Sequence, residues 1–130
     1  MTATADELVA QARRRITRVG PAQLESLAEA GALIIDIRPV AQRAEEGELP
    51  GAVIIERNVL EWRLDPSGEH RIPEVKGYEQ PVVVVCSEGY ASSLAADTVR
   101  ALGYRQPADL IGGYQAWLAW VADGKPGATG

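Results

Sequence analysis

One hundred and thirty residues, 46% of them hydrophobic and 24% charged, fit one soluble globular domain able to bury a core on both faces of a small sheet. A net charge of -5, with basic residues scattered outside Arg13-Arg14-Arg15, excludes a nucleic-acid footprint, and that Arg run reads as a solvated helix face. The single cysteine, Cys86, excludes an intramolecular disulfide framework and suits a reducing compartment.

The N-terminus lacks a basic region followed by an apolar run, and no stretch approaches the ~18 apolar residues of a membrane span. No secretory signal and no membrane contact are expected, so the expected location is cytoplasmic. Residues 5–14 read as an N-terminal helix with a short stripe of Leu8, Val9 and Ala12. Ile16-Thr17-Arg18-Val19 then alternates apolar and polar and stops at Gly20-Pro21, the pattern of a short edge strand. Pro21 opens a second helix through Leu24, Leu27, Ala28 and Ala30, closed by Gly31.

Residues 32–39 form an apolar strand that ends on Asp36 and Arg38. There the two read as a structural ion pair or cap, at the strand end where open parallel sheets line a ligand crevice. A short charged helix over residues 40–46 carries Arg43, and Gly47-Glu48-Leu49-Pro50-Gly51-Ala52-Val53-Ile54-Ile55 supplies a turn and a third strand. Residues 56–80 are irregular and charged, broken by Pro66 and Pro73, with Arg57 and Arg63 near a short helix at 59–64 that packs Leu60 and Leu64. This segment is expected to form one rim of any site. His70 has no cysteine or histidine partner and reads as a solvent-facing loop residue, so no metal and no cofactor is implied.

Four consecutive valines at 82–85 make a buried strand, and from Ala91 the spacing of Leu94, Ala95, Thr98, Val99 and Leu102 is helical and ends at Gly103. Cys86 therefore sits on a tight strand-to-helix turn. Such a turn gathers backbone N–H groups into a concavity at the positive end of a helix dipole, where a thiolate or a sulfur carried on it is favoured. Gly89 gives the backbone room to curl, and Ser92 and Ser93 are candidate caps for the first helical turn. On position alone a buried structural cysteine is the competing reading. Beyond Gly103, Ala108-Asp109-Leu110-Ile111 forms a last strand, followed by Gly112-Gly113 and a helix. On that helix Trp117, Trp120 and Val121 share a face as core anchors, and residues 124–130 should fray. Five strands interleaved with helices give an α/β fold, a mostly parallel sheet covered on both faces.

Cys86-x-x-Gly89-Tyr90-x-Ser92-Ser93-Leu94-Ala95-Ala96 after a valine strand resembles the active-site loop of the rhodanese-like sulfurtransferases. The resemblance extends to the Asp36-x-Arg38 strand end, to Gly47-Glu48-Leu49-Pro50-Gly51-Ala52, where Glu48 takes the usual histidine place, and to Gly112-Gly113 before an aromatic-bearing helix. It implies a single rhodanese-like domain over residues 1–130, with residues 1–14 as a preceding helix and 124–130 as a flexible tail. It also implies that Cys86 takes a sulfane sulfur from a small donor such as thiosulfate, mercaptopyruvate or a persulfide, and passes it to a thiol acceptor. A protein acceptor stays open, as do monomer and homodimer.

In that reading the N–H groups of Ser87, Glu88, Gly89, Tyr90 and Ala91 stabilise the outer sulfur, and the Ser87 and Ser92 hydroxyls are further donors. Tyr90 is a pocket wall or a packing residue, while Asp36 and Arg38 brace the sheet. Ala91 stands where many members of the family carry Arg, which leaves Arg43, Arg57 and Arg63 as candidates for the missing charge. Cysteine phosphatases use Cys-x5-Arg, and the place of that Arg is Ser92, so phosphatase chemistry is not expected. The alternative of another class is a binding or regulatory module that uses the same scaffold without turnover.

Overall fold

The computed structural model describes residues 1–128. Five strands, β1 (Thr17–Val19), β2 (Leu33–Asp36), β3 (Val53–Ile54), β4 (Val82–Val85) and β5 (Pro107–Leu110), form one sheet in the order β1-β5-β4-β2-β3, every neighbouring pair parallel. The valine strand β4 is central. Its four residues are all buried because Val82 and Val84 face one apolar layer and Val83 and Val85 the other, which is why the run shows no polar alternation.

The first layer packs β2 and β4 against α4 (Leu60–Leu64) and α5 (Ala91–Leu102), through Leu60, Leu64, Ala95, Ala96 and Val99. Tyr104 closes it, its hydroxyl donating to the Leu64 carbonyl at 2.6 Å, and burial pushes that phenol up to about 12. The opposite layer is made by α2 (Pro21–Glu29) and α6 (Gly113–Ala122), through Leu24, Tyr114 and Trp117. Two further helices are α1 (Ala5–Arg13), opened by a Thr4–Glu7 capping box, and α3 (Val40–Glu46), and a 3-10 turn at Arg57–Val59 leads into α4. Among the described residues no helix is long and apolar enough to cross a membrane.

Two local expectations are corrected. Val121 is exposed, because the buried side of α6 runs through Tyr114 and Trp120 with Trp117 half-buried between them. Neither Ser92 nor Ser93 caps α5, whose N-cap is Tyr90 without a side-chain bond. Within the tail, Lys125 pairs with Glu25 at 3.1 Å and the Pro126 carbonyl accepts from the Trp120 indole at 2.8 Å, while Thr129 and Gly130 lie outside the described residues.

Candidate active site

Cys86 follows directly on β4, and the loop 86–90 runs into α5 at Ala91, so the sulfur sits at the C-terminal edge of the central strand. Its Sγ accepts from the Gly89 N–H at 3.2 Å and from the Ser92 N–H at 3.3 Å. The loop points N–H groups at the sulfur because its carbonyls are drawn elsewhere. Cys86 and Ser87 give theirs to the first amides of α6, Tyr114 at 2.8 Å and Gln115 at 3.0 Å, and Tyr90 gives its own to Ser93 at 3.1 Å. The close docking of α6 explains Gly112-Gly113: at φ +63°, a Cβ on Gly113 would lie 2.5 Å from the Cys86 carbonyl oxygen.

Cys86 is 7% exposed and lines a cavity of about 370 Å³. Ile37, Pro39, Tyr90 and Ala91 give that cavity a largely apolar wall, with Glu88 and Arg57 as its charged rim. Tyr90 is exposed on this wall and stands 5.4 Å from the Arg13 guanidinium. Of the three arginines expected to supply charge, only Arg57 reaches the cavity, and it is shared with Glu61 at 3.1 Å and Thr98 at 3.3 Å. Arg43 bonds the Arg38 carbonyl and Glu48, and Arg63 bonds the His70 carbonyl, so neither lines the site.

Asp36 and Arg38 are a buried ion pair beside the loop. Arg38 donates to Asp36 at 2.8 Å, to Glu46 at 3.2 Å and to the Gly47 carbonyl at 2.9 Å, and its guanidinium lies 3.9 Å over the Tyr114 ring. Glu46 in turn accepts from the Ser87 hydroxyl at 2.7 Å. Burial opposes ionisation of Glu46, but the Ser87 hydroxyl and Arg38 outweigh it and hold the carboxyl below its ordinary value.

The serine hydroxyls are therefore not donors to the sulfur. Ser87 is committed to Glu46, and Ser92 donates to Asp109 at 2.9 Å, as does Ser93 at 2.7 Å. Asp109 is fully buried at the end of β5, opposite Arg18 in the β1–β5 register, and Arg18 grips it at 2.9 Å. Arg13, which reads in the sequence as a solvated residue, bonds Ser93 at 3.0 Å and the Gly89 carbonyl at 2.8 Å. Arg13, Arg18, Glu46 and Asp109 were not evident as site residues. The one signal for them is a charged residue inside each of two short strands, Arg18 and Asp109, which parallel pairing brings face to face.

The family model of the rhodanese-like domain matches residues 20–119. The thiosulfate sulfurtransferase GlpE of Pseudomonas savastanoi pv. phaseolicola is 26% identical over 106 residues, covering 82% of this chain and 91% of its own. Among solved structures, the human single-domain sulfurtransferase TSTD1 is 28% identical with a TM-score of 0.66, covering 78% of this chain and 95% of that one. A Rhodopseudomonas palustris protein of unknown function, described as a possible tyrosine phosphatase, is 26% identical with a TM-score of 0.81 and covers 92% of both chains.

Proposed function

Because this chain belongs to the rhodanese-like domain family, we propose that it is a sulfurtransferase in which Cys86 carries a sulfane sulfur as a persulfide between a small donor and a thiol acceptor. The observation that carries the reading is the Cys86 sulfur, bonded by the Gly89 and Ser92 amides at 3.2 and 3.3 Å, on a residue that lines a cavity. A sealed structural cysteine needs neither.

In the first half-reaction the Cys86 thiolate attacks the outer sulfur of the donor. A new S–S bond forms as the donor's own bond to that sulfur breaks, and the electron pair leaves with the donor remnant, sulfite in the case of thiosulfate. In the second, an acceptor thiolate attacks the outer sulfur of the persulfide, and the electron pair returns to Cys86 as thiolate. Negative charge moves between the two sulfurs in both steps. Fixed amides at the loop stabilise it without reorganising, which is the contribution asked of the fold.

Phosphoryl transfer, suggested by the description of the Rhodopseudomonas relative, has less support. The sixth residue after Cys86 is Ser92, whose hydroxyl is bound to Asp109, so the loop supplies no guanidinium to grip a phosphate. The deciding measurement is intact-protein mass after incubation with thiosulfate, mercaptopyruvate or an organic persulfide, alongside a phosphatase assay. Wild type is expected to gain one sulfur, release it to a thiol and hydrolyse no phosphate ester, while Cys86→Ala and Cys86→Ser stay folded and gain none. A wild type that takes no sulfur from any donor would leave the non-catalytic module as the better reading.

A further inference from the structure

Arg13 ends α1 and Arg18 lies in β1, both outside the residues that match the family, 20–119, yet both reach the cysteine loop. The Gly89 carbonyl oxygen accepts from Arg13 Nη2 at 2.8 Å and from Arg18 Nη2 at 3.1 Å. Arg13 Nε also holds Ser93, and Arg18 Nε holds Asp109, whose carboxylate takes the Ser92 and Ser93 hydroxyls. Two guanidinium groups and one carboxylate thus leave a positive balance in a part-buried place behind the loop. No such double grip is needed to hold a surface turn together.

A trans peptide is planar, with its C=O and N–H on opposite sides. Holding the Gly89 oxygen toward α1 and β1 therefore turns the N–H of the same peptide, that of Tyr90, the other way. A flip that would aim the oxygen inward turns Gly89 ψ, which a residue without a Cβ tolerates, and swings Tyr90 φ from -103° into the left-handed region, so local backbone preference at Tyr90 and the two arginines act in the same direction. We propose that Arg13 and Arg18 are positioning residues that lock the Gly89–Tyr90 peptide with its carbonyl outward. The Tyr90 N–H is thereby kept available to the outer sulfur of a Cys86 persulfide, and a positive charge is placed behind the thiolate. The outer-sulfur part rests on the sulfurtransferase reading, and the thiolate part does not. With Ala91 at the first position of α5, the loop itself brings no cation.

Full-length Arg13→Ala, Arg13→Lys and Arg18→Ala are compared with wild type in two ways. The first is the pH–rate profile of Cys86 alkylation by iodoacetamide, which needs no sulfur donor. Arg38 and Glu46 beneath Ser87, and Arg57 and Glu88 at the cavity, are unchanged in every variant, so a shift reports the clamp. For Arg13→Ala the profile is expected to move to higher pH, with the rate at neutral pH down about tenfold, and Arg13→Lys to recover part of the loss. The second is persulfide formation, where kcat is expected to fall on the order of tenfold or more and KM to stay within about twofold.

A folded Arg13→Ala protein with wild-type alkylation and wild-type loading overturns the proposal. If Arg18→Ala does not fold, because Asp109 is left buried and unpaired, Arg13→Ala decides alone; if that too fails to fold, Arg13→Gln takes its place under the same criteria. A shifted alkylation profile in a protein that never takes up sulfur keeps the clamp and removes the sulfurtransferase reading. Sulfur uptake with both Arg13 readouts unmoved does the reverse.

Discussion

The Ser87 hydroxyl lies 2.7 Å from the Glu46 carboxylate, which also accepts from the fully buried guanidinium of Arg38. The residue next to Cys86 is thus fastened through α3 to the Asp36–Arg38 pair at the end of β2. Removing the hydroxyl deletes one charged hydrogen bond and leaves Glu46 its Arg38 contact, so Ser87→Ala is expected to cost about 1.5 to 3 kcal/mol by urea denaturation. Persulfide formation should slow a few-fold without being abolished, since the amides that touch Sγ belong to Gly89 and Ser92. Loss of all loading in a folded Ser87→Ala protein would show that the hydroxyl acts on the sulfur itself.

Arg38 and Asp36 are at most 1% exposed, and each is the other's main counter-charge. Arg38→Met strands Asp36 in the interior and is expected to destabilise by about 3–5 kcal/mol. Arg38→Met combined with Asp36→Leu removes both charges and should cost clearly less than the sum of the two single changes. A double-mutant cycle read by chemical denaturation checks this, and additivity within ~0.5 kcal/mol would mean that the pair contributes nothing as a pair.

Much of the fold was legible because the strongest signals were local. The valine run, the Pro-early and Gly-late boundaries of α2 and the helical spacing after Ala91 each specify an element without reference to the rest of the chain. The cysteine turn was legible for the same reason, since it lies between a strand and a helix that are contiguous in sequence. What escaped was non-local. Arg18 meets Asp109 only because β1 and β5, 91 residues apart, pair in parallel at the sheet edge. Arg13 becomes a loop contact only once α1 is laid beside α5. Hydroxyls suited to capping a helix, on Ser92 and Ser93, went instead to a buried carboxylate that offers a stronger bond.

Asp97 on α5 accepts from Arg15 at 2.7 Å and from Arg100 at 2.7 Å, joining the residues just after α1 to α5. Its hydrogen bond from Arg15 outweighs burial and, with Arg100, lowers the carboxyl from 3.8 to about 2. A depressed folded value means that the unfolded chain takes up the proton first. The stabilisation is therefore complete above pH ~4 and is lost as pH falls toward about 2. Asp97→Asn is expected to flatten the acid side of the stability curve over that window and to change little at pH 7 beyond the ~1 kcal/mol typical of an exposed pair. Glu46, also held low, contributes in the same direction. Urea midpoints of both proteins from pH 2 to 7 test it, and parallel curves would remove Asp97 from the acid response.

Ala91 lines the cavity at the first position of α5, next to the loop that carries Cys86, and of the two arginines that line it Arg38 is paired with Asp36 and Glu46 while Arg57 is partly neutralised by Glu61. Among the described residues a dianionic donor such as thiosulfate therefore meets no unpaired fixed cation on entering from the cavity side. Ala91→Arg would add one at the positive end of α5, and KM for thiosulfate is expected to fall several-fold. A neutral organic trisulfide should be used about as well as before. Because the gain is electrostatic and solvent-facing, it should shrink steeply between low and physiological ionic strength. Steady-state assays with both donors at two salt concentrations separate this from a steric effect. A KM for thiosulfate that does not fall, or a gain that is equal for both donors and indifferent to salt, would mean that charge at this position does not govern donor choice.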